Sequence, residues 1–418
     1  MNPRQEQFSA PGFWADPVDF FSDLRRDEPV FELPGDGSYM LSRYDDVKAA
    51  SARPAVFSSR RPRLGEGDPE YEAIEADSYP VVATLPQNDP PVHTRFRKLV
   101  NRAFAPNVVA ALDASIREIA NSIVDDFGGR TTVDFCRDFA DVLPSYVMAD
   151  WLGVPRSEQV RFKAWSDDIV ETTLTPNMSR ERMLETRRTY ADFQKYFADI
   201  IEDRRVSPRA DAVSLLVGSR VDDERPLDVP EILDILRAFL VAGNDTTANL
   251  LSGAMLLLLD HPDTFAEVRA DRAALPKMIE EALRYVSPAQ VTMRTLVADE
   301  EMSGCPMRKD RRARLVLASA NRDEKQFADP HTFDIHRDTS GHLAFGHGVH
   351  YCIGHLLARA EAKIAFEVLF DRLEDIRLAG PRDEVRRKPM PGVFQLAGLD
   401  LTFRYSTGDT ARADRLGP

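Results

Sequence analysis

Residues Phe345 to His355 read FGHGVHYCIGH. Gly346, Gly348 and Gly354 surround Cys352, so the backbone there can take positive φ and approach a flat or bulky body closely. The apolar periodicity from Ile353 to Leu373 predicts a helix, which sets Cys352 just ahead of a helix N-terminus. Amide N–H groups and the helix dipole stabilise a thiolate in such a place, and a metal-bound thiolate suits it. Two other readings stay open from these residues alone. A single cysteine in a glycine-rich turn is often a buried, inert side chain. His342, His347, His350 and His355 crowd the same segment and suggest zinc, although no second cysteine supplies the paired spacing of zinc sites. No phosphate-loop pattern accompanies the glycines.

Upstream, Asp228, Pro230 and Glu231 make a capping-box start and His261-Pro262 a stop. The roughly thirty residues between them predict a helix about 45 Å long. Its second half, Leu250 to Leu259, is apolar on nearly all sides, and Asn244, Asp245, Thr246, Thr247 and Asn249 form a polar patch at its middle. That patch argues against a membrane span, because a lipid-facing carboxylate costs about 3 kcal/mol. Helical periodicity also covers Val108 to Phe127, Arg180 to Arg205 and Pro276 to Tyr285. Short β-like runs lie at Pro29 to Leu33 with Tyr39 to Ser42, at Arg314 to Ala318 and at Val393 to Phe403. The expected fold is mainly α with small β-sheets. With no repeat or low-complexity linker, residues 1–418 read as one domain, a β-rich N-terminal part and a helical main part, with a flexible tail from about residue 405.

The Cys352 segment matches F-x-x-G-x-[HR]-x-C-x-G at each defining position, and by it the chain resembles the cytochrome P-450 family of haem-thiolate monooxygenases. The resemblance implies haem b between the long central helix and the Cys-loop helix, with iron ligated by the Cys352 thiolate. It puts Phe345 beside the sulfur, Gly354 at the end of the signature and His350 on a haem propionate. The family pattern [AG]-G-x-[DE]-T-T appears as Ala242-Gly243-Asn244-Asp245-Thr246-Thr247. Gly243 lacks a side chain and Thr246 can bond back to a carbonyl, so the helical ladder can open into a groove there. By resemblance Thr246 and Asp245 are catalytic, delivering protons to oxygen, and Ala242 and Gly243 lie against the cofactor.

Glu281 and Arg284 form an ExxR on one helix face, and Arg337 follows as the family's meander arginine. The resemblance gives these three a folding and haem-retention role. His93 and Arg97, four residues apart, share a face and match propionate ligands, as does Arg294. The substrate pocket is expected at the Leu64 to Leu85 loop, Val170 to Met178, Leu240, Ala242, Thr246, Ala289, Val291, Thr292 and Phe394. One departure stands out. The turn that reads like IPKG in the family is Pro306-Met-Arg-Lys-Asp310 here, with aspartate in the glycine's place, and Arg314 stands where an apolar strand residue is expected.

The 418 residues carry 68 acidic and 54 basic side chains, a formal net charge of −14. That sign disfavours nucleic acid as a partner. The N-terminus has neither a signal-peptide pattern nor a membrane anchor, so a cytoplasmic protein is expected. Three cysteines, Cys136, Cys305 and Cys352, are too few for a disulfide framework. The expected reaction uses O2 and a hydrophobic small-molecule substrate, hydroxylation first. Because the haem unit takes up all 418 residues, the electrons are expected from a ferredoxin and ferredoxin reductase docking where Arg95, Lys98, Arg102 and Arg359 offer positive charge. A peroxide-using or isomerising haem-thiolate enzyme is the alternative, against which Asp245 and Thr246 argue, followed by a zinc-binding protein.

Overall fold

The computed structural model describes residues 3–406 apart from 11, 61–64, 66, 175–177 and 222–223. The expected tail from 407 onward, Leu64, and 175–177 of the expected pocket segments lie outside the described residues. Two compact units emerge from the contacts. Met1–Ser58, Asp113–Leu143 and Thr246–Pro418 form the first, and Ser59–Leu112 with Pro144–Asp245 the second.

The first unit carries a five-stranded sheet in the order Val30–Glu32, Tyr39–Leu41, Arg312–Val316, Val291–Leu296, Phe57–Ser58. Tyr39–Leu41 runs parallel to Arg312–Val316 and the other pairs are antiparallel. Side chains alternate across a strand, and here both faces are covered. Phe31, Met40 and Val316 pack with Phe13, Phe20 and Phe21 on one side, while Val30, Leu41 and Leu315 pack with Tyr44, Val47 and Phe57 on the other. The predicted strand from Arg314 ends at Val316, and Leu317–Ala320 is a helical turn. Val393 to Phe403 is strand only over Asp400–Tyr405. The chain bends at Ala397 ahead of Gly398, leaving Val393 and Leu396 with isolated bridges to Ala289 and Arg387. The predicted helix Val108 to Phe127 is likewise two, Pro106–Ala110 and Asp113–Asp125, because Leu112 donates back to Val109 and closes a turn.

The second unit is helical, with Val92–Val100, Gln159–Leu174, Arg180–Val206 and Ala212–Val217 among its elements. Its core is aromatic: Phe104, Trp151 and Phe239 interlock at centroid distances of 4.8, 5.0 and 5.6 Å, and Phe193 packs on Phe197 at 4.6 Å.

The long helix spans Val229–Asp260, 32 residues. Its capping box is reciprocal, with Glu231 N–H donating to Asp228 at 3.0 Å and Asp228 N–H to Glu231 at 3.1 Å. The division into units falls on this helix between Asp245 and Thr246. The helix continues through Gly243 and Thr246. Among the described residues no helix is long and apolar enough to cross a membrane.

Candidate functional site

The Cys352 loop is pinned by its glycines. Gly346 and Gly348 sit at φ 71° and 74°, in the left-handed region that side chains resist. A Cβ at Gly348 would lie 2.6 Å from the carbonyl oxygen of Ser51, so that position has neither conformational nor steric room for one. The Cys352 N–H donates to the Phe345 carbonyl at 2.9 Å and closes the loop. Gly354 is the N-cap of the helix His355–Arg372, leaving Cys352 half-buried three residues ahead of it. Burial pushes the thiols of Cys136 and Cys305 up, toward the protonated form. The half-buried Phe345 ring faces Tyr351 and His355 and lies 4.4 Å from the Arg359 guanidinium. Arg294 is 7% exposed and donates to the Thr292 hydroxyl and the Met293 carbonyl. A planar guanidinium buried at this depth suits an anionic group such as a propionate.

On the long helix Asn244 and Thr247 are buried, Gly243, Asp245 and Thr246 are half-buried, and Ala242 is exposed. A small, open surface thus interrupts an otherwise covered helix. Leu240 is fully covered, about 200° around the helix from Ala242, so the two expected pocket residues do not share a face. A Cβ at Gly243 would come within 2.8 Å of the Met148 methyl. His93 and Arg97 stand on one face of Val92–Val100. Burial, reinforced by the charge of Arg97, lowers the His93 pKa, so the imidazole is held neutral beside a cation. An anion across both would offset that repulsion. Ala289, Val291 and Thr292 are half-buried, whereas the Phe394 ring packs toward Gly253, 3.2 Å from where a Cβ would stand.

Glu281, Arg284 and Arg337 come together as expected. The Glu281–Arg284 pair is bidentate at 2.7 Å with both side chains fully buried. Arg337 adds a third charge, its Nε 3.1 Å from Glu281 Oε1. Arg284 also donates to the carbonyls of Asn321 and Pro330, and the Asp334 N–H donates to Glu281. Helix and meander are thereby locked at one fully matched point.

Glu280, one position before this pair and about 100° around the helix, was not singled out by sequence. It accepts both Nε and Nη2 of Arg359 and the Nε2 of His342. Burial alone would raise the Glu280 carboxyl, but those hydrogen bonds hold it down at about 2. The carboxylate ties the Glu281 helix to both flanks of the Cys352 loop. Arg359, expected on a docking surface, is instead committed to Glu280, and Arg95 to Glu231 at 2.8 Å. His342 and His355 are engaged with Glu280 and Arg359, and among the described residues no group of three His, Cys, Asp or Glu side chains could hold a metal ion. In the departing turn Asp310 adopts φ 64°, the conformation of the glycine it replaces. Arg314, half-buried in its strand, lies 3.9 Å from Asp36.

A cytochrome P450 family model matches residues 40–384. The putative cytochrome P450 YjiB of Bacillus subtilis is 36% identical, over 84% of this chain and 86% of its own length. The 6-deoxyerythronolide B hydroxylase of Saccharopolyspora erythraea is 33% identical, over 87% and 90%. The structure of CYP109Q5 from Chondromyces apiculatus superimposes with a TM-score of 0.84 at 37% identity, over 95% of this chain and 98% of that one. Agreement of this extent makes the loop around Cys352 the family's thiolate loop, and the chain belongs to the cytochrome P450 family, an oxidoreductase of the monooxygenase class that binds haem b through that cysteine.

Proposed function

We propose that the protein hydroxylates a hydrophobic small molecule, inserting one oxygen atom of O2 and releasing the other as water, with two electrons from a ferredoxin and its reductase. The observation that carries the reading is the pairing, in one chain, of the pinned Cys352 loop with Asp245 and Thr246 at the open middle of a long helix. Haem, when bound, supplies the iron at which dioxygen is reduced. The Thr246 hydroxyl holds a proton toward the oxygen, and the Asp245 carboxyl, half-buried beside it, replenishes that proton from solvent. Arg294, His350, His93 and Arg97 bind propionate charge. Phe345 and Gly354 shape the approach to the sulfur, the exposed Ala242 leaves space at the helix surface, and Gly243 lets the Met148 methyl close on the helix beside the cofactor. Ala289, Val291 and Thr292 supply an apolar wall to the substrate. The relative named as a hydroxylase supports this choice of reaction. Lys98 and Arg102, both exposed, keep a positive surface for an acidic electron donor, supported by the net charge of −14 that makes any local basic face distinctive.

The test has two parts. Reduced protein with carbon monoxide should give the strongly red-shifted Soret band of a thiolate ligand, lost in Cys352→Ala. Thr246→Ala should retain haem and substrate binding but divert electrons from product to hydrogen peroxide. Unchanged coupling in Thr246→Ala would refute the proton-delivery role.

A further inference from the structure

The first unit contains a cavity of about 510 Å³ that none of the proposed haem-binding residues lines. Of the expected substrate residues only Phe394 reaches it. One wall is apolar, built from Phe21, Leu256, Leu257, Val286, Phe394 and Leu396, each of them buried. The lining is also basic: five arginines line the cavity against two acids, Asp16 and Asp260. Two of the five are matched, Arg382 by Asp260 at 2.6 and 2.9 Å and Arg25 by Glu324 at 2.8 and 3.1 Å. Arg322 stacks on Tyr285 at 3.9 Å and donates to its carbonyl, which leaves its charge uncompensated by either contact.

Arg387 is different again. Its Nε and Nη2 are shut off from solvent with no hydrogen-bond partner among the described residues, while its guanidinium lies 4.6 Å from the Phe394 ring. Burial lowers its pKa to about 10, against the pull of Asp16. A second unmatched polar atom lines the same space, Oε1 of Gln290, whose side chain is 4% exposed. Buried donors without partners cost about 1–3 kcal/mol each, more when charged. A planar guanidinium beside an apolar wall is the arrangement that recognises a carboxylate attached to a hydrophobic body.

We propose that this cavity is a second ligand site, distinct from the haem pocket, that binds a small amphiphilic carboxylate with its anionic head on Arg387 and its apolar body along Leu256, Leu257 and Phe394. Gln290 offers an acceptor to a hydroxyl or amine on such a ligand. The remaining positive charge of Arg322 favours an anion over a neutral molecule throughout the cavity.

The test uses the haem-loaded protein with its iron saturated by phenylimidazole, so that the haem pocket is blocked. Calorimetric titration with naphthoate and with its neutral counterpart naphthalenemethanol compares the anion with its uncharged isostere. Naphthoate should bind about tenfold or more tightly than the alcohol, without displacing phenylimidazole from the iron. Arg387→Gln should erase that preference while the carbon monoxide spectrum stays that of the wild type. Equal binding of the two probes, no binding of naphthoate, displacement of phenylimidazole or an unchanged preference in Arg387→Gln would each overturn the proposal. Should Arg387→Gln yield no holoenzyme, the wild-type preference and the phenylimidazole competition decide the matter.

Discussion

Arg284 and Arg387 are arginines of the same unit, each with guanidinium nitrogens withdrawn from water, and they meet opposite fates. Arg284 has a bidentate carboxylate and backbone carbonyls around it, so each arm of its fork is used. Arg387 has an aromatic face on one side, with Nε and Nη2 unmatched and closed off from solvent. The first arrangement is closed and needs nothing further. The second leaves hydrogen-bonding capacity unused at the lining of a cavity. The contrast separates a charge that organises the fold from one kept for something outside it.

The largest effect should come from opening the closed arrangement. Arg284→Met breaks the buried bidentate pair and leaves Glu281 with Arg337 as its one remaining counter-charge among the described residues, which costs about 3–5 kcal/mol. Little haem-loaded protein should accumulate, measured as carbon monoxide-difference absorbance per milligram. Normal loading and melting temperature would erase the distinction drawn between the two arginines.

An intermediate effect should appear at Glu280, which shares the helix with Glu281 but is reached by solvent. Its carboxyl is held below its ordinary value in the fold, so the fold gains stability once Glu280 ionises. That contribution is complete above the unfolded-state pKa and is lost as pH falls through the folded value of about 2. Glu280→Gln should therefore lower stability near neutral pH and flatten the decline between pH 4.5 and 2, followed by denaturant melts at stepped pH. An unchanged acid limb would show that Arg359 and His342 do not depend on this carboxylate.

The smallest effect tests a mismatch of backbone rather than charge. Asp310→Gly relieves a left-handed aspartate and should raise stability by about 0.5–1 kcal/mol, a small upward shift in melting temperature with activity unchanged.

The features legible in sequence were those written over a few consecutive residues. The glycines around Cys352 and the capping box of Asp228 and Glu231 each have a local physical signature and stand where it put them, whereas the meeting of Glu281 and Arg284 with Arg337 was expected from the family resemblance, because an ExxR by itself reads as a surface pair. Helix breaks were harder. Apolar periodicity continues across Ala111 and Leu112 although the backbone does not, because one turn of tighter hydrogen bonding leaves the hydrophobic pattern nearly in phase. Glu280 was hidden by its neighbour, since two adjacent carboxylates on a charged helix read as surface. Glu361, 3% exposed with Oε2 lacking a partner among the described residues and its pKa raised by burial, was hidden by the same prior against buried acids. The Arg387 cavity had no sequence signature at all. Its walls come from residues 15–25, 253–261, 285–290, 318–322 and 382–396, which only the folded chain assembles.

Gly348 has a consequence for anyone who reads mutational tolerance as a map of chemistry. Its φ of 74° and the Ser51 oxygen 2.6 Å from where a side chain would begin exclude the other nineteen amino acids on geometry alone. In a saturation library sorted for haem absorbance, position 348 would score as intolerant as Cys352. Yet it donates no ligand, moves no proton and touches no substrate, so the profile would mark the clasp of the loop as strongly as its iron-binding atom.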